Sequence, residues 1–301
     1  MPTESPATSI WDDVALVPTA HGPIEVGRAG DGPCVLVVHG VPGSWRQALT
    51  LAADLRDGYR VIAPSRPGYG RTPLSVGRTY DEQADAFAAA LDSLGIQRAL
   101  VVGASGGGPP AAAFAARHPD RTAGLVLACA LVAHRLKIPR EPRLMTVPVL
   151  GEILSAVGRV LAARQLASAR VIDRKIASDL TPDEQRRVAA DPRIRDDLVA
   201  FARTHLDAPP GLAGMRNDLA QIRRAQASRD DVPQISVPTL VLHGTADEVV
   251  PLFHGEHYAR AIPGATLETY DEAGHIFFVT RRQEASGRIR GFASQVLGGG
   301  A

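Results

Sequence analysis

Apolar residues in this chain come in two rhythms. Before residue 130 they form short unbroken runs: Pro33-Cys34-Val35-Leu36-Val37-Val38, Arg60-Val61-Ile62-Ala63, Arg98-Ala99-Leu100-Val101-Val102 and Gly124-Leu125-Val126-Leu127-Ala128-Cys129. Runs this short, rich in valine and without polar alternation, read as buried strands of a parallel sheet. Between them the spacing is helical. After the capping box Thr79-Tyr80-Asp81-Glu82, the apolar residues Tyr80, Ala84, Phe87, Leu91 and Leu94 share one helix face, and Gly95 ends it. Strand and helix alternate from about residue 33 to 129, which predicts an α/β fold with helices on both faces of the sheet.

The rhythm changes after that. From about His134 to Val232 no convincing strand occurs, while Thr181-Pro182-Asp183-Glu184 and Asp191-Pro192 read as helix starts, each with a capping oxygen and a proline at the first helical position. Gly211 to Gln226 has the pattern of another amphipathic helix. Strand character returns with Pro238-Thr239-Leu240-Val241-Leu242 and with Thr266-Leu267-Glu268-Thr269-Tyr270. The expected organisation is a core of residues 1–134 and 233–301 interrupted by a helical insertion, residues 135–232. Within the insertion Leu136, Ile138, Met145, Leu150, Leu154, Phe201 and Met215 either line a cavity or pack against the core, as amphipathic helices do in any case.

Size and charge narrow the function. At 301 residues and 31.8 kDa, one domain with an insertion is expected. Hydrophobic residues make up 45% and charged residues 22%, an ordinary globular balance. A net charge of +1 gives no reason to expect nucleic acid as a partner. The insertion is the basic part, with 18 Lys and Arg against 13 Asp and Glu; this reads as solvated helix faces, or else as a weak pull on anionic substrates. The start, Met1-Pro2-Thr3-Glu4-Ser5-Pro6, has neither a basic region nor an apolar stretch. The longest uncharged segment, Ala99 to Arg117, is broken by glycines and Pro109-Pro110, so no membrane partner is expected. Cys34 and Cys129, both in predicted buried strands, read as free, inert thiols of a cytoplasmic protein. No Cys/His/Asp spacing suggests a metal, and no cofactor is expected. The oligomeric state is left at monomer or homodimer.

The chemistry is carried by Gly103-Ala104-Ser105-Gly106-Gly107, which follows a predicted strand. The pattern G-x-S-x-G is a sharp strand-to-helix turn that lifts a serine hydroxyl from the top of a sheet. A serine hydroxyl is a poor nucleophile without a neighbouring base. His275, in Ala273-Gly274-His275, is the candidate base, since an imidazole can take up and return a proton near neutral pH. Asp247, at the end of Leu242-His243-Gly244-Thr245-Ala246-Asp247, is the candidate acid that fixes the imidazole tautomer, with Asp271 and Glu272 as second choices. His243 is expected to brace the Asp247 loop.

With the loop His39-Gly40-Val41-Pro42-Gly43 after the first run, these motifs stand in the order of the α/β-hydrolase fold. The chain resembles that superfamily over nearly its whole length, in its serine hydrolase, esterase-like branch with a helical cap. The resemblance implies a mostly parallel eight-stranded sheet flanked by helices. It also implies an oxyanion hole from the Gly106 N–H and the Val41 N–H; Pro42 has no N–H to offer. Each such donor contributes on the order of 3 kcal/mol to the transition state. Trp45 is expected either to line the acyl pocket or to pack at a helix start, and Ile276, beside the base, to touch substrate. Members often carry an acid where Ser65 stands, and bulky residues where Gly106-Gly107-Gly108 follows the nucleophile. The glycines suggest extra room beside Ser105.

A serine at the elbow argues against dehalogenase and epoxide-hydrolase chemistry, which the family performs with aspartate. The expected function is hydrolysis of carboxylic esters with small to medium apolar groups. The alternatives are a hydrolase of carbon–carbon bonds in dienone-type acids, a lactonase or perhydrolase on the same triad, and a non-catalytic ligand-binding protein of the same fold.

Overall fold

A computed structural model describes residues 13–133, 180–206, 211–228 and 232–298. Eight strands form one sheet: β1 (Asp13–Val17), β2 (Ile24–Ala29), β3 (Cys34–Val38), β4 (Arg60–Pro64), β5 (Ala99–Ala104), β6 (Thr122–Ala128), β7 (Thr239–Gly244) and β8 (Thr266–Tyr270), in the order β1-β2-β4-β3-β5-β6-β7-β8. From β4 to β8 all neighbours are parallel, and β2 runs antiparallel to both β1 and β4. This is the α/β-hydrolase arrangement that the motifs implied.

The unbroken apolar runs exist because each strand feeds two cores. In β3, Cys34, Leu36 and Val38 enter one core and Val35 and Val37 the other; β5 and β6 divide in the same way. The helices between β3 and β6 are α1 (Trp45–Leu51), α2 (Tyr80–Ser93) and α3 (Gly108–Arg117). The first core is closed by Phe87 and Leu91 of α2 and Phe114 of α3. The second is closed by Trp45 and Leu49 of α1. The capping box at Thr79 forms as its sequence predicts, with Glu82 N–H donating to Thr79 Oγ1 at 3.1 Å and the Glu82 carboxylate accepting from Thr79 N–H at 2.9 Å.

Between β6 and β7 the described residues form three helices, α4 (Pro182–Ala190), α5 (Pro192–Leu206) and α6 (Leu212–Ser228). Downstream come α7 (Phe253–Ala261), α8 (Phe277–Thr280) and α9 (Arg282–Leu297). Helices α4 and α5 rest on α8, where Leu198 of α5 and Leu180, just ahead of α4, cluster with Val279. Helix α6 is held by a buried charge. Asp218 accepts from the Arg66 guanidinium and, at 2.6 Å, from Tyr69 O–H, and all three side chains lie in the interior. Paired and hydrogen-bonded in this way, the carboxylate escapes the cost of an isolated buried charge. Among the described residues no helix is long and apolar enough to cross a membrane.

The missing acid at Ser65 has a substitute. Ser65 Oγ donates to Glu25 at 2.9 Å, and the same carboxylate accepts from Arg71 N–H and Arg71 Nε. A carboxylate from β2 thus holds the turn after β4.

Candidate active site

Ser105 follows β5 directly and has φ +50, the left-handed conformation of a nucleophile elbow. One turn of 3₁₀ helix, Ser105–Gly107, leads into α3. A Cβ on Gly103 would lie 2.5 Å from Ala111 Cβ, and one on Gly107 only 2.3 Å from Val38 O. The two glycines of the motif therefore let α3 close onto β5 and the loop after β3 close onto the elbow.

His275 Nε2 lies 3.0 Å from Ser105 Oγ, and His275 Nδ1 lies 2.8 Å from Asp247 Oδ2. An ionised carboxylate only accepts, so Nδ1 carries the proton and Nε2 is free to accept from the serine hydroxyl. Asp247 is itself fixed: its Oδ1 accepts from Val249 N–H at 2.9 Å and Val250 N–H at 2.8 Å. Sheet order brings the three together, because β5, β7 and β8 all deliver their following loops at the same end. The loops that carry Asp247 and His275 are also joined directly, Ala246 N–H donating to Ala273 O at 3.0 Å. The second-choice acids are engaged elsewhere. Asp271 accepts from Thr245 Oγ1, and Glu272 pairs with Arg186.

His243 donates from Nε2 to Val250 O at 2.7 Å. Burial lowers its pKa, so it stays a neutral brace beside the Asp247 loop.

Val41 and Gly106 adjoin each other. A Cβ on Gly106 would meet Val41 Cγ2 at 2.4 Å and Val41 N at 3.4 Å. The loop carrying Val41 is gripped on both sides by Gln47, whose Oε1 accepts from Gly40 N–H at 2.8 Å while its Nε2 donates to Pro42 O at 3.1 Å. This side chain went unnoticed in the sequence, where a glutamine inside a helix carries no signal. His39 holds the same loop, accepting from Arg66 N–H at 2.9 Å and donating from Nδ1 to Gly40 O.

Two expectations are corrected. The three glycines after Ser105 do not make room: a Cβ on Gly106 would strike Val41, on Gly107 Val38 O, and on Gly108 Ala130 Cβ at 2.5 Å. They are small because neighbours fill the space. Trp45 does not line an acyl pocket. It packs against β2, where a Cβ on Gly27 would lie 2.4 Å from its ring, and it is 3% exposed.

Of the other candidate lining residues, Phe201 and Ile276, the latter next to His275 in the chain, meet in one apolar cluster with Phe278. Met215 lies in the first turn of α6, its N–H donating to Gly211 O. Met145, with Leu136, Ile138, Leu150 and Leu154, lies outside the described residues.

Cys129 is nearer the site than a buried strand residue should be. It stands just past β6 with φ +42, and its sulfur, Asp247 and His275 offer donor atoms within 4.8 Å of one another. The set does not fit a resident metal, because the His275 and Asp247 atoms already bond each other and burial keeps the thiol protonated, well above its ordinary pKa. Burial likewise pushes the Cys34 thiol up to about 12. At pH 8 the native protein should therefore give no reaction with a water-soluble aromatic disulfide, while the unfolded chain titrates two thiols. Uptake of one equivalent by the folded protein would contradict this.

The family model of the alpha/beta hydrolase fold matches residues 33–281. A solved alpha/beta hydrolase fold protein from Nakamurella multipartita is 34% identical, with 95% of this chain and 99% of that one covered at a TM-score of 0.74. A thermophilic esterase from Thermogutta terrifontis is 25% identical, with coverages of 94% and 99% and a TM-score of 0.65. A 2-hydroxymuconate semialdehyde hydrolase from Pseudomonas putida is 28% identical over 251 residues, 82% of each chain.

Proposed function

The chain belongs to the alpha/beta hydrolase fold family, and from that premise we propose that it hydrolyses carboxylic esters of small to medium, mainly apolar substrates. The observation that carries this reading is the unbroken line from Ser105 through His275 to Asp247, anchored on two backbone N–H groups. Ser105 Oγ attacks the ester carbonyl as His275 Nε2 takes its proton, and Asp247 stabilises the resulting imidazolium. The carbonyl oxygen, now an oxyanion, is received by the Val41 and Gly106 N–H groups. Collapse breaks the bond to the alcohol oxygen, which leaves with the proton from His275. Water then repeats the sequence on the acyl-enzyme, releasing the acid and restoring Ser105.

In this reading residues 135–232 are a cap over the cleft, and Phe201, Ile276 and Met215 contribute its apolar lining. An esterase among the similar structures supports the choice. The Pseudomonas putida relative favours carbon–carbon hydrolysis as the second reading, for which a basic cap would hold the substrate carboxylate. Three of the cations such a cap would offer are engaged. In α4 and α5, Arg186, Arg187 and Arg193 are already paired with Asp183, Glu284 and Asp191.

The test is a p-nitrophenyl ester series of increasing chain length run beside a ring-cleavage dienoate. The ester reading expects kcat/KM for the best ester to exceed that for the dienoate by about 10²-fold or more, a gap of roughly 2.7 kcal/mol in transition-state binding. The reverse ratio would move the assignment to carbon–carbon hydrolysis.

A further inference from the structure

Glu184 is a carboxylate in an unexpected place. It stands in the first turn of α4 and is 1% exposed. Its role in the local capping box does not require that burial. Glu82 makes the same box at the start of α2, accepting from Thr79 N–H, and is exposed to solvent. Placing a carboxylate in the interior is costly unless several partners receive it, so a second task for Glu184 is indicated.

That task is visible at its other oxygen. Oε2 accepts from Thr181 N–H at 3.1 Å, completing the box, while Oε1 accepts from Thr280 Oγ1 at 2.8 Å, at the end of α8. The carboxylate also lies against the backbone just before the base: a Cβ on Gly274 would be 3.0 Å from Oε2. The same helical turn grips the segment twice more. Thr181 Oγ1 donates to Glu272 O at 2.7 Å, and Arg281 donates to Asp183 Oδ2 at 2.7 Å. Glu272 is held at φ +54, a conformation an ordinary residue adopts only under such restraint. The core holds the same stretch from the other side: Ala246 N–H donates to Ala273 O, Glu272 N–H donates to Thr245 Oγ1 at 2.9 Å, and Ala273 and Phe277 are buried.

We propose that Glu184 is a positioning residue: through Thr280 and the Gly274 backbone it sets where His275 sits, so that the base is placed partly by a helix of the insertion. This rests on the reading of His275 as the base of Ser105. The imidazole has to stay within hydrogen-bond reach of Ser105 Oγ, and a misplacement of about 1 Å costs on the order of 10²-fold in rate.

The test uses the full-length protein, a p-nitrophenyl ester, and a fluorophosphonate to count active sites. Glu184→Ala should lower kcat about 10- to 100-fold with KM within about twofold. Glu184→Gln should stay within about threefold of the parent, because its amide can accept from Thr181 N–H and donate to Thr280 Oγ1. Thr280→Val, which breaks the link from the other side with little change of volume, should lower kcat and leave KM alone. Glu82→Ala is the control, losing a capping box and stability without losing kcat. Full kcat in folded Glu184→Ala overturns the proposal, as does a Glu184→Gln as slow as Glu184→Ala, which would make charge and not geometry the cause. Loss of kcat in Glu82→Ala equal to that in Glu184→Ala also overturns it. If Ser105 labels normally while these outcomes occur, only the Glu184 assignment falls; if Ser105 does not label, the base reading falls with it.

Discussion

Ser105→Ala should lose ester turnover by roughly 10⁵- to 10⁶-fold, the effect expected when the nucleophile of a Ser-His-Asp unit is removed, and should no longer label with a fluorophosphonate. On the proposed mechanism the residual rate comes from the Val41 and Gly106 N–H groups and from substrate binding, which the mutation leaves in place. A companion variant separates chemistry from backbone. Ser105 has φ +50, where a side chain costs roughly 1–2 kcal/mol that glycine does not incur. Glycine gives back part of that gain through the entropy of the unfolded chain. Ser105→Gly should therefore be as inactive as Ser105→Ala but more stable by about 0.5–1 kcal/mol, or about 2 °C in a thermal melt of a chain this size. Turnover in Ser105→Ala within tenfold of the parent would remove Ser105 from the chemistry. A Ser105→Gly that melts below Ser105→Ala would mean that the elbow is unstrained.

The strands that carry the site were legible because both faces of each are covered. Val35 to Val38, Ala99 to Val102 and Leu125 to Ala128 have no polar position to blur their boundaries. The first two strands were not located, and the reason is tertiary. β2 carries Glu25 in the interior, which makes sense only once Ser65 and Arg71 are seen around its carboxylate. β1 lies at the sheet edge with most of its residues open to solvent.

The site divides along the same line. Ser105, Asp247 and His275 each sit in a local motif after a strand, and the sheet brings their side chains within hydrogen-bond distance. Residues that act through long-range contacts left no such trace. Gln47 reads as one more polar residue in α1, and Glu184 as an acid in a helix start. Cys129 reads as the end of a strand. The glycine run after Ser105 misled because an absent side chain looks the same in sequence whether the space is open or occupied.

Asp247→Asn should cut kcat by about 10³- to 10⁴-fold with the fold intact, and the reason lies in the two jobs of the carboxylate. Oδ1 accepts from Val249 and Val250 N–H, while Oδ2 accepts from His275 Nδ1. An asparagine has one oxygen and one NH₂ to divide between these sides. Turned so that NH₂ faces the loop, it would set its donors against two backbone donors and leave the buried Val250 N–H without an acceptor, so the oxygen stays with Val249 and Val250. The NH₂ then faces His275 and can be received only if Nδ1 is bare. That moves the imidazole proton to Nε2, where it points at Ser105 Oγ and blocks the transfer that attack requires. Loss from the wrong tautomer is about 10⁴-fold in serine proteases, and the loss of charge beside the imidazolium acts in the same direction. Steady-state kinetics on a p-nitrophenyl ester, with a thermal melt and circular dichroism to verify folding, measure the effect. A folded Asp247→Asn retaining a tenth or more of parental kcat would transfer the acid's role to another group. Asp271 and Glu272 would be the next to test, although their bonds to Thr245 and Arg186 would first have to break.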